Sequence, residues 1–96
     1  PGGIENLMKL VANVTKYPED AWKQKAEGRV ILQFVVDEEG KMTYPKILQS
    51  VRYDIDKEAI RAFEAIADVY RWSPGYQDGE AKRVKFTMPL YFRIPK

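Results

Sequence analysis

The side chains able to carry acid–base chemistry are few, and they come in pairs. Glu19 stands beside Asp20, Glu38 beside Glu39, and Asp54 two residues before Asp56. Paired carboxylates are what general acid–base or glycosidic chemistry requires. Each pair also has a structural use where it stands. Glu19 and Asp20 follow Pro18 and suit the positive end of a helix, Glu38 and Glu39 fall in a turn, and Asp54 and Asp56 precede an apolar periodic segment. Ser50 and Ser73 flank turns, have no histidine to activate them, and match neither a nucleophile elbow nor a Ser-x-x-Lys spacing. With 0 His and 0 Cys, the chain has no material for imidazole- or thiolate-based zinc sites, Ser-His-Asp or Cys-His catalysis, iron–sulfur ligation or disulfides. Gly2-Gly3, Gly75 and Gly79 match no phosphate-binding fingerprint. The reading is of a non-enzymatic domain without metal or cofactor.

The elements around these residues must therefore explain the chain. At 96 residues and 45% hydrophobic content, a single domain over 1–96 with one core is expected, divided into a helical lead-in over 1–16 and a core over 17–96. A net charge of +2 is too small to indicate nucleic acid or an anionic membrane. No apolar run of about 18 residues and no signal segment is present. The chain opens at Pro1 rather than Met, from which an upstream part, including any anchor, is expected.

Ile4, Leu7, Met8 and Val11 line one face of a short helix ending near Asn13. Tyr17-Pro18 restarts the chain into a second helix from Pro18 to about Lys25. After Glu27-Gly28, a strand over Arg29–Val36 directs Val30, Leu32, Phe34 and Val36 to one face. Asp37 to Gly40 reads as a hairpin loop with Gly40 at positive φ, and Lys41 to Ser50 returns antiparallel. Met42 and Ile47 cannot share a face by strict alternation, which predicts a bulge near Pro45 and an outer position for this strand. Asp56 is the expected N-cap of a third helix, with Ala59, Phe63, Ile66 and Tyr70 buried and Lys57, Glu58, Arg61 and Glu64 outward. That helix ends near Asp68; Trp72-Ser73-Pro74-Gly75 then predicts a type II turn, and Asp78-Gly79 a further turn. The order helix, helix, strand, strand, helix, strand predicts an α+β fold: a three-stranded antiparallel sheet with helices packed on one face.

Lys82 to Ile94 is the cleanest pattern, with Val84, Phe86, Met88, Leu90, Phe92 and Ile94 alternating against Arg83, Lys85, Thr87, Pro89, Tyr91 and Arg93. Pro89 has no donor and is tolerated where its side of the strand is not already laddered to a neighbour. The even residues are then expected to bond inward. Arg83, Lys85, Thr87, Pro89 and Tyr91 form an edge at which an extended peptide could add as one more strand. The competing reading is an edge that Lys85 and Pro89 merely protect against aggregation. A function of another class, single-stranded nucleic-acid binding, would use exposed aromatics beside basic residues. Phe86 and Phe92 fall on the apolar face and leave Tyr91 as the only outward aromatic of this strand, which disfavours it.

These residues resemble the TonB C-terminal domain. The resemblance is carried by Tyr17-Pro18-x-x-Ala21, Glu27-Gly28-Arg29-Val30, Gln33-Phe34-Val35-Val36-Asp37-x-x-Gly40 and Ser50. It continues through Ile55-Asp56-x-x-Ala59, Trp72-x-Pro74-Gly75, Gln77-Asp78-Gly79 and Phe86-Thr87-Met88-Pro89-Leu90-x-Phe92. The match runs from about Tyr17 to Ile94, and the helix after Gly2-Gly3 is similar to the family's lead-in. Pro45, where the family usually has an apolar residue, and Asp68-Val69-Tyr70 depart from the pattern. The resemblance implies a periplasmic domain at the end of an inner-membrane protein, energised by an ExbB–ExbD type motor. In that family the last strand, here Arg83 to Tyr91, pairs with the TonB box of outer-membrane receptors, and the domain has no enzymatic activity. Tyr17, Pro18, Gly28, Gly40, Trp72, Pro74 and Gly75 are expected to be structural. The same fold also occurs at the ends of membrane sensors and other envelope proteins without a receptor partner. A homodimer through strand exchange is compatible with an open edge.

Overall fold

The computed structural model describes residues 3–72, 75–77 and 79–95. The chain runs α1 (Gly3–Val14), α2 (Glu19–Lys23), β1 (Gly28–Val36), β2 (Met42–Gln49), α3 (Tyr53–Ala67), β3 (Gly75–Gln77), β4 (Glu80–Lys82) and β5 (Val84–Phe92). β2, β1 and β5 form an antiparallel three-stranded sheet in that order, with β1 in the centre. The α1 and α3 helices pack on one face of it, α1 against β5 and α3 against β1 and β2.

The alternation in β1 sets this arrangement. Val30, Leu32, Phe34 and Val36 are all buried, as their period of two requires, while Ile31 and Val35 on the other face are half-buried. Phe34 meets Phe63 of α3 at a ring distance of 5.1 Å, and Leu7, Val11, Ile55, Ala59 and Ala62 complete the helix side. Each fully buried aliphatic or aromatic side chain contributes about 1.5–3 kcal/mol relative to exposure. The hairpin between β1 and β2 turns on Asp37, whose carboxylate accepts the N–H groups of Glu39 (2.9 Å) and Lys41 (3.0 Å), and on Gly40 at φ 83°. A bulge at Tyr44 and Pro45 opposes Phe34 alone, and Tyr44 takes φ 54°. A second register shift follows at Leu48.

Four features differ from the expectations. A separate antiparallel ribbon of β3 and β4 precedes the last strand, with Gly79 at φ 80° in its turn. That strand begins at Val84 and ends at Phe92, because the chain changes partner from β3 to β1 across Arg83. Alternation reports the face of a residue and not the strand beside it, so the two segments read as one. Third, α3 begins at Tyr53, with Arg52 rather than Asp56 at its N-cap. Asp56 works from inside the first turn, its carboxylate accepting the Val51 N–H at 3.0 Å and the Ser50 hydroxyl. Fourth, α2 is shorter, Glu19–Lys23, with Pro18 at its N-cap. The type II turn expected at Trp72-Ser73-Pro74-Gly75 lies partly outside the described residues, Ser73 and Pro74 among those not described.

Candidate functional site: the edge of the sheet

Members of all three carboxylate pairs form ion pairs with nearby bases. Glu19 pairs with Lys23 (2.9 Å), Glu38 with Arg83 (3.2 Å), Glu39 with Lys41 (3.7 Å) and Asp54 with Arg52 (2.7 Å). Among the described residues no group of three or more acidic, His or Cys side chains is placed to hold a metal ion, and no helix is long and apolar enough to cross a membrane.

The sheet has two edges, and they differ. β2 is broken by two register shifts, by Tyr44 at positive φ and by Pro45. The β5 strand keeps one unbroken register with β1 from Gly28↔Phe92 to Val36↔Val84, and no described strand pairs with its other side. Bulges and proline blunt an edge, whereas a regular strand with unpaired backbone groups is a template for pairing.

The phase of that edge follows from two side-chain contacts on the far side of β1. The Gln49 amide donates to the Arg29 carbonyl at 3.1 Å, and the Thr43 hydroxyl to the Val35 carbonyl at 3.2 Å. Odd-numbered carbonyls of β1 therefore face β2, and its even-numbered residues bond toward β5. Through the register, Val84, Phe86, Met88, Leu90 and Phe92 bond inward, and Lys85, Thr87, Pro89 and Tyr91 turn their backbone groups to the open side. Pro89, opposite Ile31, leaves no missing donor in the ladder.

The side chains follow the same period. Met88, Leu90 and Phe92 are buried, while Val84 and Phe86 are half-buried nearer the start of the strand. Lys85, Thr87 and Tyr91 are exposed, and the Arg93 guanidinium stands 5.0 Å from the Tyr91 ring centre. Arg83 is not part of β5; it stands between β4 and β5 and ion-pairs with Glu38.

Residues expected to be structural lie against the ends of this strand. Tyr17 donates its hydroxyl to the Ala26 carbonyl and packs edge-on against Phe92 at 5.6 Å. Burial, followed by the charge of Glu27, pushes the Tyr17 phenol up from its ordinary range. A Cβ at Gly28 would come within 2.8 Å of Val51 Cγ2, so any larger residue where β1 starts would force Val51 to shift. At the other end Trp72 stacks on Phe86 at 5.1 Å.

The sequence did not reveal the part played by Glu58 and Arg61, expected in a solvated charged face. The Arg61 guanidinium donates to the Val14 carbonyl at 2.7 Å and makes bonds of 2.7 and 2.8 Å to Glu58. The Glu58 carboxylate in turn accepts the Lys16 N–H at 2.6 Å. Together they satisfy the C-terminal end of α1 and fasten it to α3, a task for which only the i, i+3 spacing was visible in sequence. Arg61 holds the Glu58 carboxyl below the usual carboxylate range; burial opposes this and the Lys16 N–H assists it.

The fold and edge define a small α+β domain with one regular, unpartnered strand. The chain belongs to the TonB C-terminal domain family: the family model described as Gram-negative bacterial TonB protein C-terminal matches residues 13–94. Two solution structures of the Helicobacter pylori TonB C-terminal domain share its fold. One has a TM-score of 0.74 at 20% identity, covering 99% of this chain and 88% of that one. The other has a TM-score of 0.69 at 17% identity, covering 92% and 89%. The Pseudomonas aeruginosa TonB C-terminal domain superposes with a TM-score of 0.63 at 26% identity, covering 85% of this chain and 80% of its own. A search of curated protein sequences found no match.

Proposed function

We propose that this chain is the single receptor-binding domain of a TonB-type energy transducer. It binds the TonB box of outer-membrane receptors by strand addition at β5 and takes no part in catalysis. The domain sits in the periplasm at the end of an inner-membrane-anchored protein, and an ExbB–ExbD type motor acts on it through the upstream part of that protein. The observation that supports the reading is the contrast between the two edges: β2 is interrupted twice, and β5 offers nine residues in constant register. On its open side an incoming peptide meets the N–H groups of Lys85, Thr87 and Tyr91 and the carbonyls of Lys85, Thr87, Pro89 and Tyr91, enough for a ladder built on backbone alone. Arg83, outside the strand, contributes at most a charge at its entrance.

Titration of the isotopically labelled protein with a synthetic TonB-box peptide tests this. The expected result is larger amide perturbation at Lys85, Thr87 and Tyr91 than at Val84, Phe86 and Leu90. Perturbation concentrated on β2 or on the helices, or none, overturns it.

A further inference from the structure

On the helix side of the open edge lies a cavity of about 160 Å3 whose walls include Ala12, Thr15, Tyr17, Leu90 and Phe92. The two hydroxyls beside it already donate elsewhere. The Thr15 hydroxyl donates to the Val11 carbonyl at 2.6 Å, and the Tyr17 hydroxyl to the Ala26 carbonyl. Arg93, which also borders the cavity, carries its guanidinium toward the Tyr91 ring. A charged group seated against Leu90 and Phe92 would lose water, whereas an apolar one would lose nothing; the backbone of Tyr91, which also lines the cavity, is what an added strand itself would pair with. The volume is on the scale of cavities of about 150 Å3 that hold benzene-sized ligands. Its α1 wall is fixed in advance, because Arg61 and Glu58 fasten Val14 and Lys16.

The position matters as much as the lining. A strand added to β5 would lie about 4.8 Å outboard of it, and residues directly opposite each other in a sheet share a face. A guest residue aligned with Leu90 or Phe92 therefore directs its side chain to the helix side, where the cavity opens. From this continuity, and resting on the strand-addition reading above, we infer that the cavity seats one branched aliphatic side chain of the guest. It thereby sets both the register of the added strand and a preference for Val, Ile or Leu at that one position.

The test is a set of TonB-box peptides in which each residue in turn is replaced by Ala or Asp, titrated against the protein and against Ala12→Leu. Ala12 is exposed on α1, so a leucine there projects into the cavity without entering the core. One peptide position should lose tenfold or more in affinity on either replacement. Ala12→Leu should weaken the parent peptide by a similar factor and abolish the sensitivity of that position. Thr15→Leu, one turn further along the same wall, should do the same should Ala12→Leu alter the amide spectrum of the free protein. Uniform sensitivity along the peptide, with both variants binding like the parent while the Lys85, Thr87 and Tyr91 amides still respond, overturns the cavity and leaves strand addition standing. Failure of the parent peptide to bind at all overturns both.

Discussion

Trp72 and Gly40 are joined through their backbones: the Trp72 N–H donates to the Gly40 carbonyl at 2.9 Å, and a Cβ at residue 40 would lie 2.1 Å from the Trp72 carbonyl oxygen. The tip of the β1–β2 hairpin is thus fastened to the segment that leads, through β3 and β4, into β5. Gly40 is required twice over, by its φ of 83° and by this approach.

Gly40→Ala should accordingly destabilise the protein by more than about 2 kcal/mol, with the left-handed conformation alone accounting for about 1–2. For a domain of this size that lowers the melting temperature by roughly 10 °C or more. Gly79→Ala is the control: φ is 80° but nothing lies within 4 Å of its Cβ position, so a loss of about 1 kcal/mol is expected. Equal melting temperatures for the two variants would show that the contact with Trp72 contributes nothing.

Thr87→Pro should remove one outward donor from β5 and leave the inward ladder intact. Peptide affinity is expected to fall several-fold, in line with about 1 kcal/mol for one hydrogen bond, while the melting temperature changes little. Met88→Pro removes an inward donor on a fully buried residue and should unfold the protein. Unfolding by Thr87→Pro and tolerance of Met88→Pro, read by circular dichroism, would invert the strand phase.

Glu58→Ala should cost about 1–2 kcal/mol at neutral pH by releasing the end of α1. The sign of its pH dependence is set by the depressed Glu58 carboxyl. A group ionising more readily in the folded chain stabilises above its unfolded value of about 4.3, and that contribution is lost as pH falls through the lower folded value. The difference between parent and variant in denaturant titrations should be full above about pH 5 and shrink progressively below pH ~4. A gap that stays constant through that window would mean that the carboxylate charge has no part in the fastening.

Trp72→Ala should cost about 3 kcal/mol, because its ring stacks on Phe86 at 5.1 Å and meets Tyr70 edge-on at 5.7 Å. The loss should appear as a lower denaturant midpoint with an unchanged slope. An unchanged midpoint would remove Trp72 from the packing that holds the start of β5.

Much of the fold is legible in local pattern because local physics decides it. Val30 to Val36 alternate strictly and are buried as they alternate, Gly40 takes the positive φ its loop needs, and Pro45 marks both the bulge and the outer position of β2. Where pairing partners decide, the pattern fails: Lys82 to Ile94 alternates without interruption, yet the chain exchanges β3 for β1 at Arg83. The start of α3 escapes local pattern for a related reason, since Asp56 satisfies the preceding backbone from within the helix. As for the candidate site, alternation and Pro89 single out the strand, whereas the cavity beside it depends on α1 arriving next to Leu90 and Phe92, a contact no local spacing encodes.

The unequal flanks of the sheet would give the domain a single pairing side. On the strand-addition reading one extended segment would lie along Val84–Phe92, while the opposite flank, kinked at Tyr44–Pro45 and again at Leu48, offers no straight run for a second. Two copies paired along the regular flank would each use it up, which favours finite particles over fibrils.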